Sequence, residues 1–264
     1  MDQQISRMFN LSGKVVFVAG GAGAIGSELA RACLAFGAKV AIADLSGQAS
    51  AEMAVRLASA EERPADMTIG VELNVLDPAS IQSAVSSVEQ HLGVVQGLIN
   101  AAGTHIEQPA HELTIQAWDT VVDINLRGAF LLSQAVTQHQ IANKTGGSHI
   151  HITSVRSNLG IRRGYAAYVA SKGGLGILIK QLATEWAKYG IRVNGIAPTF
   201  TRTPLVADYL NDPDFYQGLV NRIPMGRVCE TSDLVGLAVF LTSEASSFIT
   251  GQNIFVDGGV TASQ

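Results

Sequence analysis

Cysteine, charge and aromatic side chains are all scarce in this chain. Its two cysteines, Cys33 and Cys229, stand far apart with no CxxC or Cys/His spacing, which argues against a disulfide framework and implies no metal site. They read as small buried hydrophobes in a reducing compartment. Only 15% of the 264 residues are charged and the net charge is −4. That leaves no electrostatic case for a nucleic acid or an anionic membrane as partner. No apolar run is long enough to cross a bilayer, and the polar N-terminal segment MDQQISRMFNLSGK lacks the apolar core of a signal peptide. A cytoplasmic location is the expectation. Pro/Ser-rich linkers, internal repeats and low-complexity tracts are absent too, so residues 1–264 are read as a single domain.

Glycine and aliphatic residues are what the chain has in quantity: 27 glycines and 47% hydrophobic residues. Short β-branched runs at 14–20, 39–44, 67–74, 97–103, 148–154, 191–198 and 253–259 read as strands. Helical patterns such as AIGSELARACLAFG (24–37) and DPASIQSAVSSVEQHLG (77–93) fill most of the gaps. Strands apolar on both faces, alternating with helices, predict an α/β fold: a doubly wound parallel sheet with helices on both faces. The least regular stretch, 199–227, is expected to be a lid over a site.

The first strand runs straight into a glycine turn and a helix, VFVAGGAGAIG, where Gly21, Gly23 and Gly26 satisfy G-x-G-x-x-G. Such glycines let the backbone approach a pyrophosphate that the helix N-terminus stabilises. A tight βα turn alone would also explain them. The second strand, however, ends in Asp44, about 20 residues on, where a carboxylate accepts from adenosine ribose hydroxyls and repels a 2′-phosphate. The following DLSG offers no arginine. Together these features predict a Rossmann-type dinucleotide site with NAD preferred over NADP.

Farther along, AAYVASKGG places Tyr168 and Lys172 four residues apart, on one face of a helix. An ammonium beside a phenol lowers the phenol pKa, one way to obtain a general base near neutral pH. An isolated Y-x-x-x-K is more simply read as packing beside a solvated lysine.

With these motifs in order, the chain resembles the short-chain dehydrogenase/reductase family from Gly13 to about Gly259. The family's T-G-x-x-x-G-x-G is matched by Ala19 to Gly26, with Ala19 in place of the threonine and Ala24 in place of the middle glycine. Its N-N-A-G is matched by Asn100-Ala101-Ala102-Gly103, its Asp-Val by Asn74-Val75, and its P-G-x-x-x-T by Pro198 to Thr203, with Thr199 replacing glycine. The resemblance implies cofactor contacts from Gly20, Ala22, Gly23, Ile25, Gly26, Asp44, Leu45, Asn74, Val75, Asn100, Ala101, Gly103, Tyr168, Lys172, Pro198, Thr201 and Thr203. It implies catalysis by Asn125, Ser154, Tyr168 and Lys172, with Asn125 on the helix after the fourth strand supporting a water relay to Lys172. Ser157 is the alternative serine, because the Ser154–Tyr168 interval is one residue longer than is common. It also implies a homotetramer, which the apolar segment GGLGILIKQLATEWAKYG (173–190) favours.

The substrate is read from three arginines. Arg156, Arg162 and Arg163 lie between Ser154 and Tyr168 in a chain poor in charge, and a guanidinium fork suits carboxylate, sulfonate or phosphate. Arg156 is the stronger candidate, while Arg162 and Arg163 read equally well as surface or intersubunit ion-pair partners. His105, just past NAAG, is a further substrate candidate; the remaining histidines show no metal-ligand spacing. Segments such as SVRS, GIRVNGIAP, RIPMGR and VDGGVTAS most resemble gluconate 5-dehydrogenases and related sugar-acid dehydrogenases. The expected activity is therefore NAD-dependent interconversion of a secondary alcohol, or hemiacetal hydroxyl, and a carbonyl on an anionic sugar. A 3-oxoacyl-thioester reductase and a non-catalytic NAD-binding sensor are the alternatives.

Overall fold

The strand β1 (Val15–Ala19) sets the layering of the molecule. Every residue of VVFVA is buried, and because successive side chains point to opposite faces, the strand feeds two cores. Val16 and Val18 pack with Leu29, Leu34 and Leu241 on one face; Val15, Phe17 and Ala19 pack with Ile81, Val85 and Leu98 on the other. Truncating Phe17, fully buried, to alanine would cost about 3–5 kcal/mol.

Around β1 the computed structural model, which describes residues 7–263, arranges seven parallel strands in the order β3-β2-β1-β4-β5-β6-β7. The others are β2 (Lys39–Asp44), β3 (Thr68–Glu72), β4 (Gly97–Asn100), β5 (Gly147–Ile152), β6 (Ile191–Pro198) and β7 (Asn253–Val256). The α-helices are α1 (Ala24–Ala35), α2 (Gly47–Ala60), α3 (Pro78–Leu92), α4 (Ile115–Val122), α5 (Gly128–Asn143), α6 (Ala166–Trp186), α7 (Ala207–Asn211), α8 (Pro213–Val220) and α9 (Val235–Thr242). The first six residues of the polar N-terminal segment, and Gln264, lie outside the described residues. No described helix is long and apolar enough to cross a membrane.

Helix starts follow local chemistry. Ser46 caps α2 by accepting from Ala49 N–H, and Asp77 caps α3 by accepting from Ala79 N–H, with Pro78 in the first turn. Three sequence expectations shift. The seventh strand ends at Val256 rather than 259. The fourth strand ends at Asn100 rather than 103, because its partner β1 stops at Ala19, opposite Asn100, and turns away. The asparagine predicted on an α-helix, Asn125, lies in a π-helical turn, Asp123–Arg127, inserted between α4 and α5. Such widened turns concentrate at functional sites.

Candidate active site

The chain leaves β1 and β4, neighbours in the sheet, through connections that diverge, opening a crevice at their carboxyl ends. At its floor is the glycine turn. Gly20 has φ +70° and sits so close to the Ala101–Ala102 peptide that an added Cβ would lie 2.7 Å from Ala102 N, so only glycine serves there. At Gly26 a Cβ would collide with the Gly20 carbonyl. Asp44 stiffens the turn: its Oδ2 accepts from Ala22 N–H at 3.1 Å and its Oδ1 from Leu45 N–H at 2.9 Å. Glu72, the register partner of Asp44, places a second carboxylate beside Gly47; the sequence reading did not single it out. Asn74 is exposed at the end of β3, with its Oδ1 accepting from Leu76 N–H, and Val75 is a core residue against Gly128.

Asn100 is buried, accepting from Ala102 N–H and lying 3.5 Å from His151 Nδ1, whose Nε2 meets Ser133 Oγ at 3.1 Å. This chain of contacts fixes the end of β4. Asn125, buried as well, is fully engaged. Its Oδ1 accepts from Thr104 N–H, and its Nδ2 donates to the Thr104 carbonyl and to Ser171 Oγ. Any water it orders toward Lys172 would therefore rest on its main chain.

Ser154, Tyr168 and Lys172 line one cavity of about 200 Å3, together with Gly103, His105, Arg156, Pro198, Thr201 and Thr203. Ser157 does not: its hydroxyl donates to the Ser154 carbonyl and accepts from Asn253, which leaves Ser154 as the serine facing Tyr168. Lys172 is buried, donates to the Ile152 carbonyl at 2.8 Å, and has its pKa lowered to about 8 by burial. Its Nζ lies 5.8 Å from the centre of the Tyr168 ring. Lys172, expected to depress the Tyr168 pKa, is not among the groups that shift it. Burial raises the phenol above its usual value, and the opposing influences are the Ser154 hydroxyl and the Arg156 charge. His105 packs against Tyr168 with ring centres 6.2 Å apart, and burial lowers its pKa.

The three arginines part company. Arg163 forms a bidentate pair with Glu107 at 2.7 and 2.8 Å and lies over the Tyr209 and Phe215 rings. The same carboxylate accepts from Tyr165 and Tyr209. This clasp fastens α7 and α8, the α-helical part of 199–227, to the body; Glu107, Tyr165 and Tyr209 carried no motif by which sequence alone would find them. Arg162 is exposed. Arg156 faces the cavity, its guanidinium donating to the Gly160 carbonyl at 2.7 Å.

Comparison with known proteins adds ancestry to this geometry. The family model described as enoyl-(acyl carrier protein) reductase matches residues 20–261. A 5-keto-D-gluconate 5-reductase of Escherichia coli is 36% identical over 253 residues, 96% of this chain and 97% of the relative. The chain is a short-chain dehydrogenase/reductase. Another member, a gluconate 5-dehydrogenase of Gluconobacter oxydans, is 35% identical over 97% of this chain and 98% of its own. The crystal structure of a gluconate 5-dehydrogenase from Burkholderia cenocepacia, in complex with NADP and tartrate, matches with a TM-score of 0.91 at 34% identity, covering 97% of this chain and 98% of that one.

A nicotinamide dinucleotide fits the residues of this dehydrogenase/reductase. Helix α1 follows its N-cap Gly23, which has no side chain to cap it and so leaves first-turn N–H groups for a pyrophosphate. The turn from Gly20 to Gly26 would hold the phosphates and Asp44 the adenosine ribose. Lys172, with Pro198, Thr201 and Thr203 across the cavity, would hold the nicotinamide end.

Proposed function

We propose that this dehydrogenase/reductase interconverts a secondary alcohol, or hemiacetal hydroxyl, and the corresponding carbonyl on a sugar acid or another anionic sugar, with NAD preferred. The observation that carries the reading is one cavity wall on which Ser154, Tyr168 and Lys172 stand beside the guanidinium of Arg156. The relatives that act on gluconate and 5-ketogluconate support the same substrate class. For the cofactor, Asp44 at the end of β2, with Glu72 beside it in register on β3, supports NAD, because a carboxylate there repels a 2′-phosphate. NADP in the Burkholderia relative makes that preference a matter for measurement.

A bound nicotinamide dinucleotide supplies the hydride acceptor in oxidation and the donor in reduction. The protein manages the proton. In oxidation Tyr168 Oη takes it from the substrate hydroxyl; in reduction it returns it to the forming alkoxide. Ser154 Oγ hydrogen-bonds the same substrate oxygen and stabilises its charge. Lys172, anchored to Ile152 O, is held in the same cavity, where its ammonium would hydrogen-bond the nicotinamide ribose. Asn125 holds the Thr104 peptide and so the wall against which the nicotinamide end would rest. Arg156 orients the anionic substrate by a second attachment.

The test is a panel of aldonates, ketoaldonates, sulfonated sugars, neutral polyols and 3-oxoacyl thioesters, followed by the absorbance of reduced nicotinamide. The expected result is turnover of an anionic sugar with NAD, at a kcat/KM above that of a neutral polyol. Turnover of thioesters alone, or equal rates on neutral and anionic sugars, would overturn the reading.

A further inference from the structure

A second, larger cavity of about 740 Å3 adjoins the reaction site. The two share Arg156, Ile161, Thr199 and Phe200 along their common boundary. The second is lined by Arg156, Arg162, Arg163 and Arg222, and by no carboxylate. Of these, Arg163 is neutralised by Glu107. The other three have no ion-pair partner among the described residues. Arg156 donates to the Gly160 carbonyl, Arg222 to the Gly218 carbonyl, and Arg162 stands exposed. Nearby positive charge from Arg222 adds to burial in making the Arg156 cation unfavourable. Uncompensated guanidiniums around one space, in a chain with only 15% charged residues, are what a bound anion would relieve.

The number of arginines also bears on the kind of anion. A carboxylate has two oxygens, and one guanidinium fork engages both. Guanidiniums approaching from two segments, the loop before α6 and the turn after α8, suit a tetrahedral group whose three outer oxygens point in different directions. We infer that this cavity receives the far end of the substrate, and that this end carries a sulfonate or phosphate held by Arg156, Arg162 and Arg222. The inference rests on the sugar-dehydrogenase reading for the reacting end and adds a distal anion to it. Arg222, next to helix α8, becomes a specificity-determining residue, and a bound oxyanion would link that helix to the catalytic loop.

Two measurements test it. Calorimetry of the NAD-loaded enzyme with inorganic sulfate and inorganic phosphate reads the cavity directly. Kinetics on one sugar skeleton bearing a terminal sulfonate, a terminal phosphate or a terminal hydroxyl reads its use, and the first two arms separate the two sources of the oxyanion. The wild type is expected to bind at least one inorganic oxyanion and to prefer the matching sugar over the neutral one. In Arg222→Ala that preference should fall roughly 10-fold or more, chiefly through KM, and Arg222→Lys should restore part of it. If no sugar is turned over but the oxyanion binds the wild type and not Arg222→Ala, the proposed activity fails and the anion cavity stands. If sugar acids are turned over while neither oxyanion binds and Arg222→Ala keeps the wild-type preference, the cavity inference fails and the activity stands.

Discussion

At Tyr168 burial and charge oppose one another: burial holds the proton on, while the Ser154 hydroxyl and the Arg156 guanidinium ease it off. Oxidation needs the phenolate, so its kcat/KM should rise with pH until Tyr168 has lost its proton. Reduction needs the phenol and should fall through the same range. Removing the Arg156 cation takes away an influence that lowers this pKa, so Arg156→Ala should move the oxidative limb to higher pH, and a pH profile whose limb stays in place would show that the charge is not felt. Tyr168→Phe should lose at least about 100-fold in kcat while NAD binding is nearly kept, since only the proton carrier is gone; fluorescence titration of NADH alongside turnover checks both halves. The four-residue spacing made Tyr168 and Lys172 legible in the sequence. The part played by Arg156 was not, because it arises where a 3-10 turn (Val155–Ser157) aims a side chain back at the phenol, and spacing along the chain does not encode that direction.

Strands and helices such as 24–37 and 77–93 could be read because their cause is local: β-branched runs for a sheet buried on both faces, and helical periodicity between them. What could not be read was whatever depends on register between distant segments. Glu72 came beside Asp44 only through the pairing of β2 with β3. The two carboxylates give an element-level prediction. Wild type should prefer NAD over NADP in kcat/KM, Asp44→Ala should narrow the gap, and adding Glu72→Ala should narrow it further through KM for NADP. Equal efficiency with both cofactors in the wild type would refute the role given to this strand pair. The clasp on Glu107 was hidden for the same reason, joining residues 56 and 102 positions apart.

For the whole molecule, two buried histidines link stability to pH. His149 and His151 have their pKa values lowered by burial to about 3 and about 4. Unfolded, both would titrate near 6.5. Between those limits the unfolded chain binds more protons than the folded one, so stability should fall as pH drops from about 6.5 toward 4, with a slope of about 1.4 kcal/mol per pH unit for each histidine. A Tm that is flat over that interval, measured by calorimetry, would contradict it. The surface points to association. Ile177 on α6 and Ile115 on α4 are 64% and 72% exposed, and Phe248 is fully so, which leaves apolar side chains for a partner subunit to cover. A homotetramer is the expected state by light scattering at micromolar concentration, and Ile177→Glu should weaken it. A monomeric mass for the wild type would remove that expectation.

The π turn between α4 and α5 carries a consequence of its own. A widened turn adds a residue to the helix, and one residue rotates everything beyond it by about 100°. The stripe that α4 shows to solvent through Ile115 and Trp118, and the stripe that α5 sends into the sheet through Leu132 and Val136, are thus phased separately although they belong to one continuous rod. Asn125 sits at the change of phase. A substitution on the outward half therefore changes the face offered to other molecules, while the inward half keeps its alignment and the reaction site is undisturbed.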